Sequence, residues 1–329
     1  MHTEVVFTNS QGITRDEEFW YPDGSIVLVA RGRAFKIYHG LLAQYSEIFQ
    51  DLLSVPQPES AETIDGRPLV HLTDSPEDLR YMLRFVFQRK YFPSDHEIEF
   101  DACAALIRLG HKYQFDDVQR EGVRQLKLFF PEDYTSWMKM YTYGLGSPEI
   151  RCSPQETIRA VNLARLVGAE TVLPAALYAC CQLDSPDLVN GYVGPDGIIE
   201  RLSLEDLVRC IDGAKALQTA VAGIVYRVCR LDDVPDFSQW NRDIRRHHQA
   251  CWHVVKSLER DAHEEKSITP DVFWVCVEMM ADDAGSHLKA CCNTCLAFVR
   301  AKGQQELRQL WNRLPSFFDL KLDNWDIAN

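Results

Sequence analysis

The residues best suited to chemistry lie in the last third of the chain. Cys291-Cys292-Asn293-Thr294-Cys295 contains a C-x2-C spacing, and His247-His248-Gln249-Ala250-Cys251-Trp252-His253 runs upstream of it. Thiolate and imidazole are the ligands zinc takes, four to a tetrahedron. Cys292 and Cys295, three apart on a helix, would share one face. Cys251 with His248 or His253 would complete the set if the two helices run antiparallel. A second C-x2-C pair at comparable spacing is missing from the sequence. The favoured reading is therefore that these cysteines are small apolar core residues and that the chain needs no cofactor. A structural zinc site on Cys251, His253, Cys292 and Cys295 is the alternative.

Catalytic signatures are thin. Gly144-Leu145-Gly146 lacks the third glycine and the preceding buried strand of a phosphate-binding loop. No G-x-S-x-G elbow occurs. His263-Glu264-Glu265 begins like a zinc-protease helix but places Ser267 where the second histidine belongs. Asp232-Asp233 and Asp282-Asp283 are adjacent carboxylates, which on a helix point about 100° apart and do not converge on one reacting atom. An enzyme would have to assemble its site from scattered residues, and a non-enzymatic protein is expected.

Composition narrows the partners. The 329 residues carry 35 basic and 48 acidic side chains, a formal charge of −13 shared by both halves, which disfavours nucleic acid. Arg165 and Glu170 interrupt the longest apolar stretch, near 161–181, short of the about 20 residues a membrane-spanning helix needs. The opening Met1-His2-Thr3-Glu4 lacks the pattern of a signal peptide. The eleven cysteines are accordingly expected as free thiols in an intracellular protein, cytoplasmic or nuclear.

The elements that must position these residues fall into two groups. Residues 1–18 are polar and aperiodic and read as a loose leader. Ser25–Ala30 and Ala34–Ile37, joined by Arg31-Gly32-Arg33, predict a hairpin. One helix is expected from His39 through Leu53, ended by Pro56, and a third strand at Leu69–Leu72. Ser75-Pro76-Glu77-Asp78 is a helix start, and two helices follow over Ile98–Tyr113 and Asp117–Phe130. This is an α+β domain over 19–131. After a linker at 132–152, Ser153-Pro154-Gln155-Glu156 predicts a capping box. Further helices are expected over Pro174–Cys181, Ser203–Val228 and from Thr269-Pro270 onward, with loops at 184–197 and 231–240. The second domain, 153–329, is expected to be all-helical, and the chain mostly helical.

The first domain resembles a known family. Asp23–Val29, Phe35–Ala43 and Ser46–Leu53 resemble the opening of a BTB/POZ domain, and the likeness continues through Val70–Leu72, Asp74–Leu79 and Leu109–Tyr113. With the tail Trp311–Pro315, the chain is similar to fungal BTB proteins that have a helical C-terminal half. The resemblance implies an interaction domain that self-associates through its first helix and neighbouring strand, or recruits another protein. Ile26, Leu28, Tyr38, His39, Leu41, Leu52 and Leu53 are the interface residues it points to. A substrate adaptor for a cullin-type ubiquitin ligase is a further alternative, although Leu53-Ser54-Val55-Pro56-Gln57-Pro58-Glu59 lacks the cullin-contact motif. Aligned on Phe35 and Leu42, the histidine of many relatives falls on Tyr38, with His39 beside it. Their aspartate falls on Ser25, with Asp23 two residues early. The buried charged pair of those relatives is therefore not expected here.

Overall fold

The computed structural model describes residues 12–54, 62–88, 98–142, 150–194, 197–230, 250–257, 260, 271–273, 291–323 and 325. The chain divides into two compact units. Met1–Phe130, Lys139–Ala169 and Val193–Ile199 form the first; Pro131–Met138, Glu170–Tyr192 and Glu200–Asn329 form the second.

The first unit is organised around strand β2 (Ile26–Ala30), whose five residues Ile-Val-Leu-Val-Ala are all buried. Alternate side chains leave a strand on opposite faces, so both faces of this one must be covered. Ile26, Leu28 and Ala30 enter the main core with Phe35, Leu42, Phe49 and Leu109. Val27 and Val29 enter a smaller cluster with Ile13 and Ala34, flanked by Trp20 and Leu69. Strand β3 (Arg33–Ile37) returns antiparallel with Ile37 opposite Ile26. Arg31 and Gly32, at φ 42° and 83°, make the positive-φ turn that a tight hairpin requires. On the other side β5 (Arg67–Leu72) runs parallel to β2, and β4 (Thr63–Ile64) closes that edge. The sheet order is β1-β3-β2-β5-β4.

Strand β1 corrects the expectation of a loose leader over 1–18. Thr14–Trp20 is a strand paired parallel to β3; residues 1–11 lie outside the described residues. Its sequence has no apolar alternation because polar groups hold it. Asp16, 2% exposed, accepts the backbone N–H of Glu18 and Phe19 at 3.1 and 3.0 Å. Its other oxygen accepts Nη2 and Nε of Arg80 at 2.7 and 3.3 Å. Glu18 pairs with Arg84 at 2.7 Å. Hydrophobic periodicity cannot reveal a strand anchored by ion pairs.

The helices of this unit follow. The single helix expected over His39–Leu53 is two, α1 (His39–Tyr45) and α2 (Glu47–Ser54). Helix α3 (Pro76–Leu83) starts as expected, the Ser75 hydroxyl accepting from the Asp78 N–H at 3.0 Å, and runs into one wide π turn, Arg84–Gln88. Helices α4 (Phe100–Lys112) and α5 (Asp116–Phe129) pack closely. A Cβ on Gly110 would lie 2.6 Å from the backbone nitrogen of Gln119, so only glycine permits this approach. Two-residue strands β6 (Ile98–Glu99) and β7 (Ile150–Arg151) pair in parallel. Between them in sequence runs α6 (Tyr134–Thr142). Helix α7 (Glu156–Val167) packs on α4, where buried Arg159 meets Asp101 at 2.6 Å. Its capping box is half formed. The Ser153 N–H donates to Glu156 at 2.6 Å, but Pro154 and Gln155 make a turn and the helix begins only at Glu156.

The second unit is helical: α8 (Leu173–Cys180), α9 (Ser185–Asn190), α10 (Leu204–Val228) and α11 (Asn293–Arg313), ending in a 3-10 turn, Leu314–Phe318. Helix α9 and the strand Tyr192–Val193 occupy the loop expected at 184–197. The loop expected at 231–240, and most of the helix expected from Thr269-Pro270, lie outside the described residues. Trp137 stacks on Trp311 at 5.4 Å and meets Tyr178 and Phe273 edge-on at 5.7 and 6.0 Å. The aromatic C-terminal tail belongs to this packing. Phe318 is buried against Gly213, and Trp325 lies 5.0 Å from Trp311 and donates its indole N–H to the Trp311 carbonyl at 2.8 Å. The ten described cysteines are unbridged. No described helix is long and apolar enough to cross a membrane.

Candidate protein-interaction surface

Ser46 shapes the surface formed by α1 and α2. It leaves helical geometry at φ −138° and its hydroxyl accepts the Phe49 N–H at 3.0 Å, so it ends α1 and starts α2. The same hydroxyl donates to the Tyr113 carbonyl at 2.5 Å, fixing the break to the end of α4. The break turns Leu42 and Phe49 inward, where Phe49 packs on Tyr113 and Phe115 at 4.8 and 5.7 Å. The remaining apolar residues face outward. Tyr45 and Ile48 are 36% and 37% exposed, and Leu41 and Leu52 are half-buried, so each helix carries one outward pair four residues apart, Leu41 and Tyr45 on α1 and Ile48 and Leu52 on α2.

Tyr45 also borders a cleft of about 580 Å³. Tyr45 forms one wall, and Phe85 and Val86 of the π turn and Phe115 and Val118 supply further apolar lining. Asp117, Arg120, Glu121 and Arg124 of α5 make a charged rim. The rim charges pair along the helix, Arg120 with Asp117 at 2.8 Å and Arg124 with Glu121 at 2.6 Å. An apolar floor within a polar rim is the anatomy of a protein-binding patch. Sequence reasoning missed the cleft. Its one signal was the run Phe85-Val86-Phe87, three consecutive apolar residues that a single helix face cannot bury together.

The expected interface residues fall in different places. Ile26 and Leu28 are core residues, which corrects their assignment: β2 is central in the sheet and both of its faces are covered. Leu41 and Leu52 are half-buried on α1 and α2. Leu53 belongs to α2, but its side chain lies outside the described residues. Tyr38 is half-buried, stacks on Tyr21 at 5.1 Å and donates its hydroxyl to Asp23 at 2.6 Å. That hydrogen bond holds the Asp23 carboxyl below the usual carboxylate range and pushes the Tyr38 phenol up. His39 is exposed. The Ser25 hydroxyl accepts its backbone N–H at 3.0 Å and lies 2.7 Å from its Nδ1. Two interleaved hydrogen-bonded pairs, Asp23–Tyr38 and Ser25–His39, thus occupy these positions.

The candidate zinc ligands are partly brought together. The sulfurs of Cys251, Cys292 and Cys295 lie within 4.8 Å of one another. His253 does not join them; it is exposed, with its ring 5.2 Å from that of Trp252. His248 lies outside the described residues.

No curated protein matches the chain. Residues 23–128 match the family model described as BTB/POZ domain. The match spans the sheet from β2, helices α1 to α4 and nearly all of α5, while β1 precedes it. Residues 23–128 of this chain are therefore a BTB/POZ domain, a protein–protein interaction module, preceded by a strand that completes its sheet.

Proposed function

We propose that the chain is a non-enzymatic adaptor whose BTB/POZ domain binds a second copy of itself or another protein through the outer face of α1 and α2 and the adjoining cleft. One observation carries this reading. Leu41 and Tyr45 of α1 and Ile48 and Leu52 of α2 are apolar side chains that the fold leaves partly exposed, although the same two helices bury Leu42 and Phe49 completely. Tyr45 also lines the cleft, so an amphipathic segment or the same face of a second copy would bury these side chains and the cleft together.

The test is light scattering on the full chain at micromolar concentration, wild type against Ile48→Asp and Tyr45→Asp. Both side chains are partly exposed, so the variants are expected to fold. Self-association predicts a dimer mass that falls to the monomer in each variant. For a hetero-partner, a wild-type monomer should capture that protein and each variant should lose it at least tenfold. Unchanged mass and unchanged capture in both variants would overturn the assignment of this face.

A further inference from the structure

The second unit holds a cluster that the adaptor reading does not use. The sulfurs of Cys251, Cys292 and Cys295 converge within 4.8 Å from two separate helical segments. Cys251 is in helical residues 250–257, Cys292 is the N-cap of α11, and Cys295 is in its first turn. Cys251 and Cys295 are buried and Cys292 is half-buried.

The backbone treats two of these sulfurs as acceptors. The Cys292 N–H is directed at Cys251 Sγ at 3.2 Å, and the Cys295 N–H at Cys292 Sγ at 3.5 Å. Amide hydrogens aimed at sulfur favour thiolate and are the outer support of metal-bound cysteine. Neighbouring Cys291 behaves differently: its thiol donates to the Cys251 carbonyl at 3.9 Å.

We infer that Cys251, Cys292 and Cys295 form a three-thiolate site for a thiophilic d10 cation, zinc in the first place, with the fourth position left to a ligand outside this trio. A tetrahedral ion with bonds of about 2.3 Å places its sulfurs about 3.8 Å apart, a small contraction from the observed group. The exchange balances without an oxidant. Three thiols release three protons to solvent, Zn²⁺ takes three sulfur lone pairs, and the centre carries one net negative charge. A disulfide within the same trio would instead require a two-electron oxidant. Bound at this point, the ion would tie the start of α11 to residues 250–257.

The test is Co²⁺ titration of the reduced full chain under anaerobic conditions, followed by displacement with Zn²⁺. One equivalent should give thiolate-to-cobalt charge-transfer absorption and the visible bands of a tetrahedral ion, both abolished by zinc. Cys292→Ser keeps a capping hydroxyl at the start of α11, so it separates loss of ligand from loss of helix. It should weaken Co²⁺ binding at least tenfold, as should Cys251→Ser, while Cys291→Ser and Cys152→Ser leave the spectrum unchanged. A reduced wild-type chain that gives no cobalt spectrum, or a spectrum that Cys292→Ser does not alter, would overturn the site.

Discussion

Replacing Asp16 with alanine tests how firmly β1 belongs to the BTB/POZ domain. The carboxylate is buried, and four donors converge on it: two backbone N–H groups of its own strand and two guanidinium nitrogens of Arg80. Removing one member of a buried ion pair costs about 3–5 kcal/mol, because the partner keeps an uncompensated charge. Here the Arg80 side chain is 23% exposed and can turn toward water, which places Asp16→Ala near the lower end, about 3 kcal/mol. For a domain of about 150–250 residues, each kcal/mol moves the melting temperature by about 2–4 °C, so a drop of about 6–12 °C is expected. Urea unfolding measures the loss, and hydrogen exchange over residues 14–20 locates it, since β1 should lose protection before β2. Asp16→Ala, Arg80→Met and the double variant close a cycle whose coupling energy should exceed about 1 kcal/mol. A single variant within about 0.5 kcal/mol of wild type, with β1 still protected, would show that the ion pair does not anchor the strand.

Two further substitutions probe the same domain. Gly110→Ala drives a methyl group into the backbone of Gln119 and should cost about 1–3 kcal/mol in unfolding free energy, measured by thermal or urea denaturation. Tyr38→Phe removes the hydroxyl that holds the Asp23 carboxyl low, so carboxyl-detected NMR should show Asp23 titrating at higher pH than in the wild type. The sign follows from linkage. A depressed folded-state pKa contributes stability that is present above the unfolded value and lost as pH falls through the folded value, and Tyr38→Phe should lack that acid-side dependence.

Much of the BTB/POZ domain was legible because its elements are made by short-range rules. Ile26–Ala30 is an unbroken apolar run of strand formers, Arg31-Gly32 supplies a turn, and Ser75-Pro76 opens a helix with a hydroxyl that does cap it. The break between α1 and α2 was not legible. Leu41, Leu42, Tyr45, Ile48 and Phe49 keep helical spacing straight through it, and the break depends on a hydroxyl bonded to Tyr113, 67 residues away. Strand β1 escaped for a related reason: its partners, Arg80 and Arg84, are more than sixty residues distant, and charges carry no periodicity.

The sites divide in the same way. Residue types marked Cys251, Cys292 and Cys295 as a potential metal set, and C-x2-C across a helix start placed two of them together. That Cys251 joins them and His253 does not was decided by packing. On the first domain, sequence alone determined β2, β3 and β5, the start of α3 and the family pattern from Asp23 onward, since each rests on residues within a turn or two of one another. Tertiary structure decided which apolar side chains remain outside. Ile26 and Leu28 are as apolar as Leu41 and Ile48, but a central strand has neighbours on both faces, whereas α1 and α2 cover the core with only one.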